Sequence, residues 1–173
     1  MAKQHGQAAQ TEAALHWVQN EIRYFSLSIG ENAQRPHAPD VVLKRRYGDC
    51  KDKSYLLISL LRELGVTARP VLLSADAPRV NAKLLATSTW FNHVIVQITL
   101  DGRDYYVDPT RSNQPEPLAT MPTAFPDAAV LVVDKASTAL VTLLKTRRCW
   151  TALRTHREYR RGRFQRRGDA GNA

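Results

Sequence analysis

Residues 45–65 read RRYGDCKDKSYLLISLLRELG. They predict an amphipathic helix that begins at a cysteine. Leu57, Leu60, Leu61 and Leu64 form one apolar stripe at helical spacing, and Gly65 supplies the stop. Gly48 and Asp49 form the turn before Cys50, where Gly48 lets the chain bend tightly and lets a substrate backbone approach. A thiol at a helix start sits among unpaired N–H groups and a partial positive charge, which favour thiolate over thiol. The same N–H groups can stabilise the oxyanion of a tetrahedral intermediate. Taken alone, Cys50 reads equally well as a small buried hydrophobe. The rest of the chain must decide.

Upstream, Thr11 to about Arg23 reads as a helix, with Leu15, Val18, Ile22 and Phe25 at 3-4-3 spacing and Thr11 as N-cap. SIGENAQRPHAPD (28–40) is a loop, and Asp40 caps a short helix through Arg45 that Gly48 ends. Downstream, VTARPVLL (66–73) is a strand that Pro70 keeps at an edge or a bulge. Residues 74–90 are mostly loop, and DAAVLVVD (127–134) is a final short strand. Helices first and an antiparallel sheet after them predict an α+β domain.

The strongest local signal is FNHVIVQITL-DG-RDYYVDPT (91–110). Asp101-Gly102 between two β-rich runs is a type I′ hairpin pattern. A two-residue turn sets Leu100 against Arg103, so His93 falls opposite Thr110 and Ile95 opposite Asp108. With side chains alternating faces, His93 and Asp108 become diagonal neighbours on one face, about 7–8 Å apart at the backbone and within side-chain reach. Each has an ordinary reading: a satisfied histidine, and an Asp-Pro turn. Together they suit an aspartate that orients an imidazole, which is half of a catalytic triad.

The chain has 173 residues, 43% of them apolar and 24% charged, as in one soluble domain plus extensions. Two cysteines, Cys50 and Cys149, make no disulfide framework and no zinc pattern; Cys149 lacks the context of Cys50 and reads as inert. No run approaches the roughly 20 apolar residues of a membrane span, and the start has no signal-peptide core. The net charge of +9 is uneven: residues 1–144 hold 15 Lys+Arg against 14 Asp+Glu, residues 145–173 hold 10 against 2. The expected division is a domain over 1–144 and a basic tail, or the cut-short start of a following domain, over 145–173. Nucleic acid is expected, if at all, only through that tail, because no RNA-recognition or zinc-finger pattern is present.

YGDCKDKSYLLISLLRELGVTARPVLL followed by FNHVIVQITLDGRDYYVDPT resembles the bacterial transglutaminase-like domains of the papain-like cysteine-enzyme superfamily, in the group whose motif is Gly-Asp-Cys-Lys-Asp-Lys. The resemblance covers roughly residues 11–140. It implies a papain-like core, with Cys50 as nucleophile on a central helix and a sheet carrying His93 as general base and acid and Asp108 as its orienting partner. Papain-type enzymes place a glutamine six residues before the cysteine as an oxyanion donor; Lys44 stands there in this chain, so Tyr24 and Asn92 are the candidates for that donor.

The expected activity is attack by Cys50 on an amide or ester carbonyl through a thioester, resolved by water (peptidase or amidase) or by an amine (transglutaminase-type transfer), with hydrolysis slightly favoured. The expected substrate is a protein, a peptide or another amide-bearing molecule, with no metal or cofactor required. A catalytically idle interaction module is the competing reading. The chain as written reads as cytoplasmic, or as periplasmic or cell-envelope if it is part of a longer protein.

Overall fold

In the computed structural model the described residues are 2–26, 33–76 and 87–144. The tail over 145–173, with Cys149, lies outside them. The chain begins with α1 (Ala2–Glu21), followed by the two-residue strand β1 (Arg23–Tyr24). Then come α2 (Pro39–Arg45), β2 (Tyr47–Gly48) and α3 (Cys50–Glu63). The remaining strands are β3 (Thr67–Leu73), β4 (His93–Leu100), β5 (Arg103–Val107), β6 (Ala129–Val132) and β7 (Val141–Thr142), with a 3-10 turn over Ser88–Trp90. This is the expected α+β order, helices before an antiparallel sheet.

α1 starts well before Thr11. The alanine-rich stretch ahead of it continues the helix, so Thr11 is buried in mid-helix and its hydroxyl donates to the Gln7 carbonyl at 2.8 Å. Thr11 is therefore not the N-cap. Leu15, Val18 and Ile22 are buried as expected, but Phe25 is half-exposed beyond the helix, edge-on to Tyr47. α2 is capped from Ala38 with Pro39 at its first position, and Asp40 sits inside the first turn. Arg46, at φ 58°, ends it in the left-handed region, so Gly48 does not.

α3 has strong end signals. The Asp49 carboxylate accepts the N–H groups of Lys51 and Asp52, while the Asp52 carboxylate reaches back to the Asp49 N–H, a closed capping box. At the other end Gly65 (φ 72°) allows the Val66 N–H to reach the Leu61 carbonyl and its own N–H to reach that of Arg62, a Schellman stop. Leu57 and Leu61 are fully buried, and Leu60 and Leu64 pack partly buried around them.

The five-stranded sheet runs β5-β4-β3-β6-β7, and every neighbouring pair is antiparallel. β3 is thus central, and the edge position expected from Pro70 does not hold. Pairing with β6 spans Val71↔Val132 and Leu72↔Leu131, and beyond it the Pro70 carbonyl still accepts the Val133 N–H. The donor that proline lacks falls where β6 has already ended, so a central strand tolerates it. β6 is not the last strand either, since β7 follows it. One face of the sheet, through Val96, Ile98 and Leu100, packs on α1 and α3; the other, through Val71, Leu73, Ile95, Val130 and Val132, packs with Ala124, Ala128 and Leu143.

Candidate active site

β4 and β5 meet in the register set by Asp101-Gly102: Leu100↔Arg103, Thr99↔Asp104 and Val96↔Val107, with both turn residues at positive φ. Regular pairing stops at Val107, and Asp108 follows it just outside the ladder. His93 opens β4. Its Nε2 lies 3.0 Å from Asp108 Oδ2, with both side chains almost wholly buried. The other Asp108 oxygen accepts the N–H (2.9 Å) and the hydroxyl (2.7 Å) of Thr110. One carboxylate therefore makes the Asp-Pro turn and meets the imidazole; the ordinary and the chemical readings of Asp108 coexist. Arg111 Nε stands 3.7 Å from Asp108 Oδ2, and Phe125 lies against both the His93 ring and the Arg111 guanidinium.

Cys50 is the first residue of α3, partly buried, and near enough to the His93 side chain to stabilise its protonated form. With Nε2 engaged by Asp108, Nδ1 is the ring nitrogen left for sulfur. Burial works against the imidazolium, but the hydrogen bonds and charges of Asp108 and Cys50 outweigh it and raise the His93 pKa to about 9. Asp108 is shifted the opposite way: burial pushes it up, and the His93 and Thr110 contacts more than reverse this and hold it ionised below the usual carboxylate range. Ser54, one turn after Cys50, donates to the Val94 carbonyl at 3.1 Å and so ties α3 to the strand beside His93.

The cap leaves a specific donor over. Asp49 takes the Lys51 and Asp52 N–H groups, and the Lys53 N–H closes the first helical bond to the Asp49 carbonyl. The Cys50 N–H, at the first position of α3, is one of the helix-start donors that the helix itself cannot satisfy. Of the two side-chain candidates, Tyr24 stands in the field of Cys50: burial first, then the charge of Cys50, raises its phenol above 10. Asn92 is committed elsewhere, accepting from the Ala75 N–H at 2.8 Å and donating to Asp76 at 2.6 Å. Lys44 points to solvent, with its ammonium 3.8 Å from Asp40.

Gly48 is explained differently from its sequence reading. It lies in β2, outside the left-handed region, and a Cβ there would come within 2.7 Å of the Asp52 Cβ. The missing side chain makes room for a buried carboxylate that accepts from Arg45 Nη2 (2.6 Å) and the His37 N–H (2.7 Å). Sequence reasoning passed over Asp52, Lys53, Ser54 and Gln19. The closely spaced charges of the motif gave a signal for the first two; Ser54 and Gln19 depend on contacts 40 and 89 residues away in sequence, which no local pattern shows.

A family model, the transglutaminase-like superfamily, matches residues 1–109. No curated protein sequence matches. Among solved structures, a "putative protease" from Parabacteroides distasonis superposes with a TM-score of 0.56 at 16% identity, over 78% of this chain and 24% of its own. A "putative cysteine protease" from Cytophaga hutchinsonii gives a TM-score of 0.43 at 18% identity, over 78% of this chain and 50% of its own. The chain thus spans about a quarter of one and half of the other.

Proposed function

Because the chain belongs to the transglutaminase-like superfamily, we propose that it performs cysteine-based acyl chemistry, with Cys50 as nucleophile, His93 as proton carrier and Asp108 as the residue that orients His93. The observation that carries this reading is the 3.0 Å contact between His93 Nε2 and Asp108 Oδ2 beside the thiol at the start of α3. The contacts of Asp108 and Cys50 raise the His93 pKa to about 9 against the cost of burial, so at neutral pH the ring has a proton to give. The Cys50 sulfur adds to an amide or ester carbonyl carbon, and the oxyanion turns to the Cys50 N–H, with Tyr24, which feels the charge of Cys50, as the side-chain candidate for a second donor. His93 protonates the leaving amine or alkoxide as its bond to carbon breaks, leaving a thioester. Water then gives a proton to His93 and adds to that carbonyl; the C–S bond breaks, and acid and free enzyme are released. An amine in place of water gives transfer.

Hydrolysis is the favoured outcome, on a peptide or another amide-bearing substrate. The test is incubation of the full chain with an activated ester and with mixed peptides, with and without hydroxylamine. The expected result is an acyl adduct on Cys50 by mass spectrometry, free acid without hydroxylamine, and hydroxamate with it. Product formation that survives Cys50→Ala would sink the proposal.

A further inference from the structure

Lys53 is fully buried, and no carboxylate pairs with it among the described residues. Its ammonium donates to the main-chain carbonyls of Gln19, at 3.3 Å, and Ile22. These belong to the last turn of α1 and the residue after it, where helical carbonyls run out of partners. Gln19 is buried too. Its amide donates to the Asp108 carbonyl at 3.0 Å and to Gln114 Oε1 at 2.9 Å. The same face of α1 holds the segment further on, since Asn20 Oδ1 accepts the Asn113 N–H (3.4 Å) and Glu12 accepts the Leu118 N–H (2.7 Å).

These bonds join three parts of the chain that meet at the site. Lys53 is one turn beyond Cys50 on α3, Gln19 is on α1, and Asp108 follows β5. A methionine has similar reach and would fill the Lys53 slot without the cost of desolvating a charge. A buried cation is an expensive way to pack a helix pair, and its hydrogen bonds to α1 are what methionine could not supply. Burial lowers its pKa to about 8, and the charge of Asp108 acts in the other direction.

We infer that Lys53 and Gln19 are positioning residues: through the C-terminal turn of α1 they fix the main chain of Asp108, and with it the His93 ring, relative to Cys50. This rests on the reading above, in which Cys50, His93 and Asp108 act together. Among the described residues the charged and titratable groups around the site are Cys50 from α3, Asp108 and Arg111 after β5, Tyr24 from β1, which feels the charges of Cys50 and Asp108, and, beyond Asp108, Lys53 itself.

The experiment is a pH titration of the His93 ring by NMR in the full chain, for wild type, Gln19→Met and Lys53→Met. Thermal midpoints and the iodoacetamide alkylation rate of Cys50 are measured on the same samples. In wild type the His93 midpoint is expected near 9. In both variants it should fall by about one pH unit or more as Asp108 loosens, and Cys50 alkylation should slow by about tenfold, within the 10²-fold that roughly 1 Å of misplacement can cost. Loss of the Lys53 charge without movement acts in the opposite direction and raises the His93 midpoint. A rise in Lys53→Met, or an unchanged midpoint in Gln19→Met with only a lower thermal midpoint, overturns the inference. If Lys53→Met does not fold, Gln19→Met decides. A wild-type His93 midpoint near 6.5, with Cys50 no more reactive than glutathione, overturns the triad reading as well; normal wild-type values with unchanged variants overturn the positioning role alone.

Discussion

Gly48 and Asp52 approach so closely that even a methyl group is too large for the space between them. Gly48→Ala should therefore destabilise the protein by about 1–3 kcal/mol, the range for overpacking a filled site, read from chemical denaturation; an unchanged midpoint would show that the motif glycine has no steric role. Asp108→Asn tests the site more directly. An amide in place of the carboxylate can leave His93 in the wrong tautomer and removes the charge that holds its proton, so turnover should fall by about 10–10³-fold, on the order of 1.4–4 kcal/mol in the barrier. Asp104→Asn is the control. Asp104 lies on the same hairpin face, but its carboxylate accepts from Gln97 and Thr99 and does not reach His93, so activity should change much less. If the two variants behave alike, the assignment of Asp108 is wrong. At this scale the sequence makes the His93–Asp108 approach legible, because a two-residue turn dictates register over many residues. It does not show Lys53 or Gln19, whose partners are main-chain carbonyls of elements that only the folded chain brings together.

Among the elements, α3 is held by its ends and by its apolar face, and these can be separated. Asp49→Ala removes the acceptor for two N–H groups and the ion pair with Lys51. It should cost about 1–2 kcal/mol, and the freed N–H groups at the helix start should change Cys50 reactivity. Leu57→Ala, deep in the core, should cost about 2–5 kcal/mol and leave Cys50 alkylation per folded molecule unchanged. A cap variant that lowers stability with no effect on Cys50 would divorce the cap from the chemistry. Helix α3 and the β4–β5 hairpin were readable because their stop, cap and turn residues are local. The start of α1 was not, because an alanine-rich run carries little amphipathic pattern and Thr11 imitates a cap. The central place of β3 was hidden for another reason: whether a proline costs a ladder bond depends on where the neighbouring strand ends.

Across the whole molecule, two buried groups give stability a particular pH dependence. The His93 pKa rises on folding from 6.5 to about 9, so its contribution is complete below about pH 6.5 and is lost as pH climbs through 9, at most about 3 kcal/mol. The Lys53 pKa falls on folding from 10.5 to about 8, so its burial cost is full below about pH 8 and is relieved toward 10.5. Stability should therefore decline between about pH 6.5 and 8 and flatten where the two effects overlap. In His93→Gln the decline should vanish, and urea unfolding at several pH values checks this. The sharp charge boundary also predicts that a chain cut after Leu144 keeps its thermal midpoint and its Cys50 reactivity; a large loss of either would mean that the tail supports the domain. The most direct test of the central claim is the rate at which iodoacetamide modifies Cys50 and Cys149 at pH 7, peptide by peptide, in wild type and His93→Gln. The account predicts that Cys50 reacts much faster than Cys149 in wild type and loses at least about tenfold without the imidazole. Equal rates for the two cysteines, unmoved by His93→Gln, would contradict it.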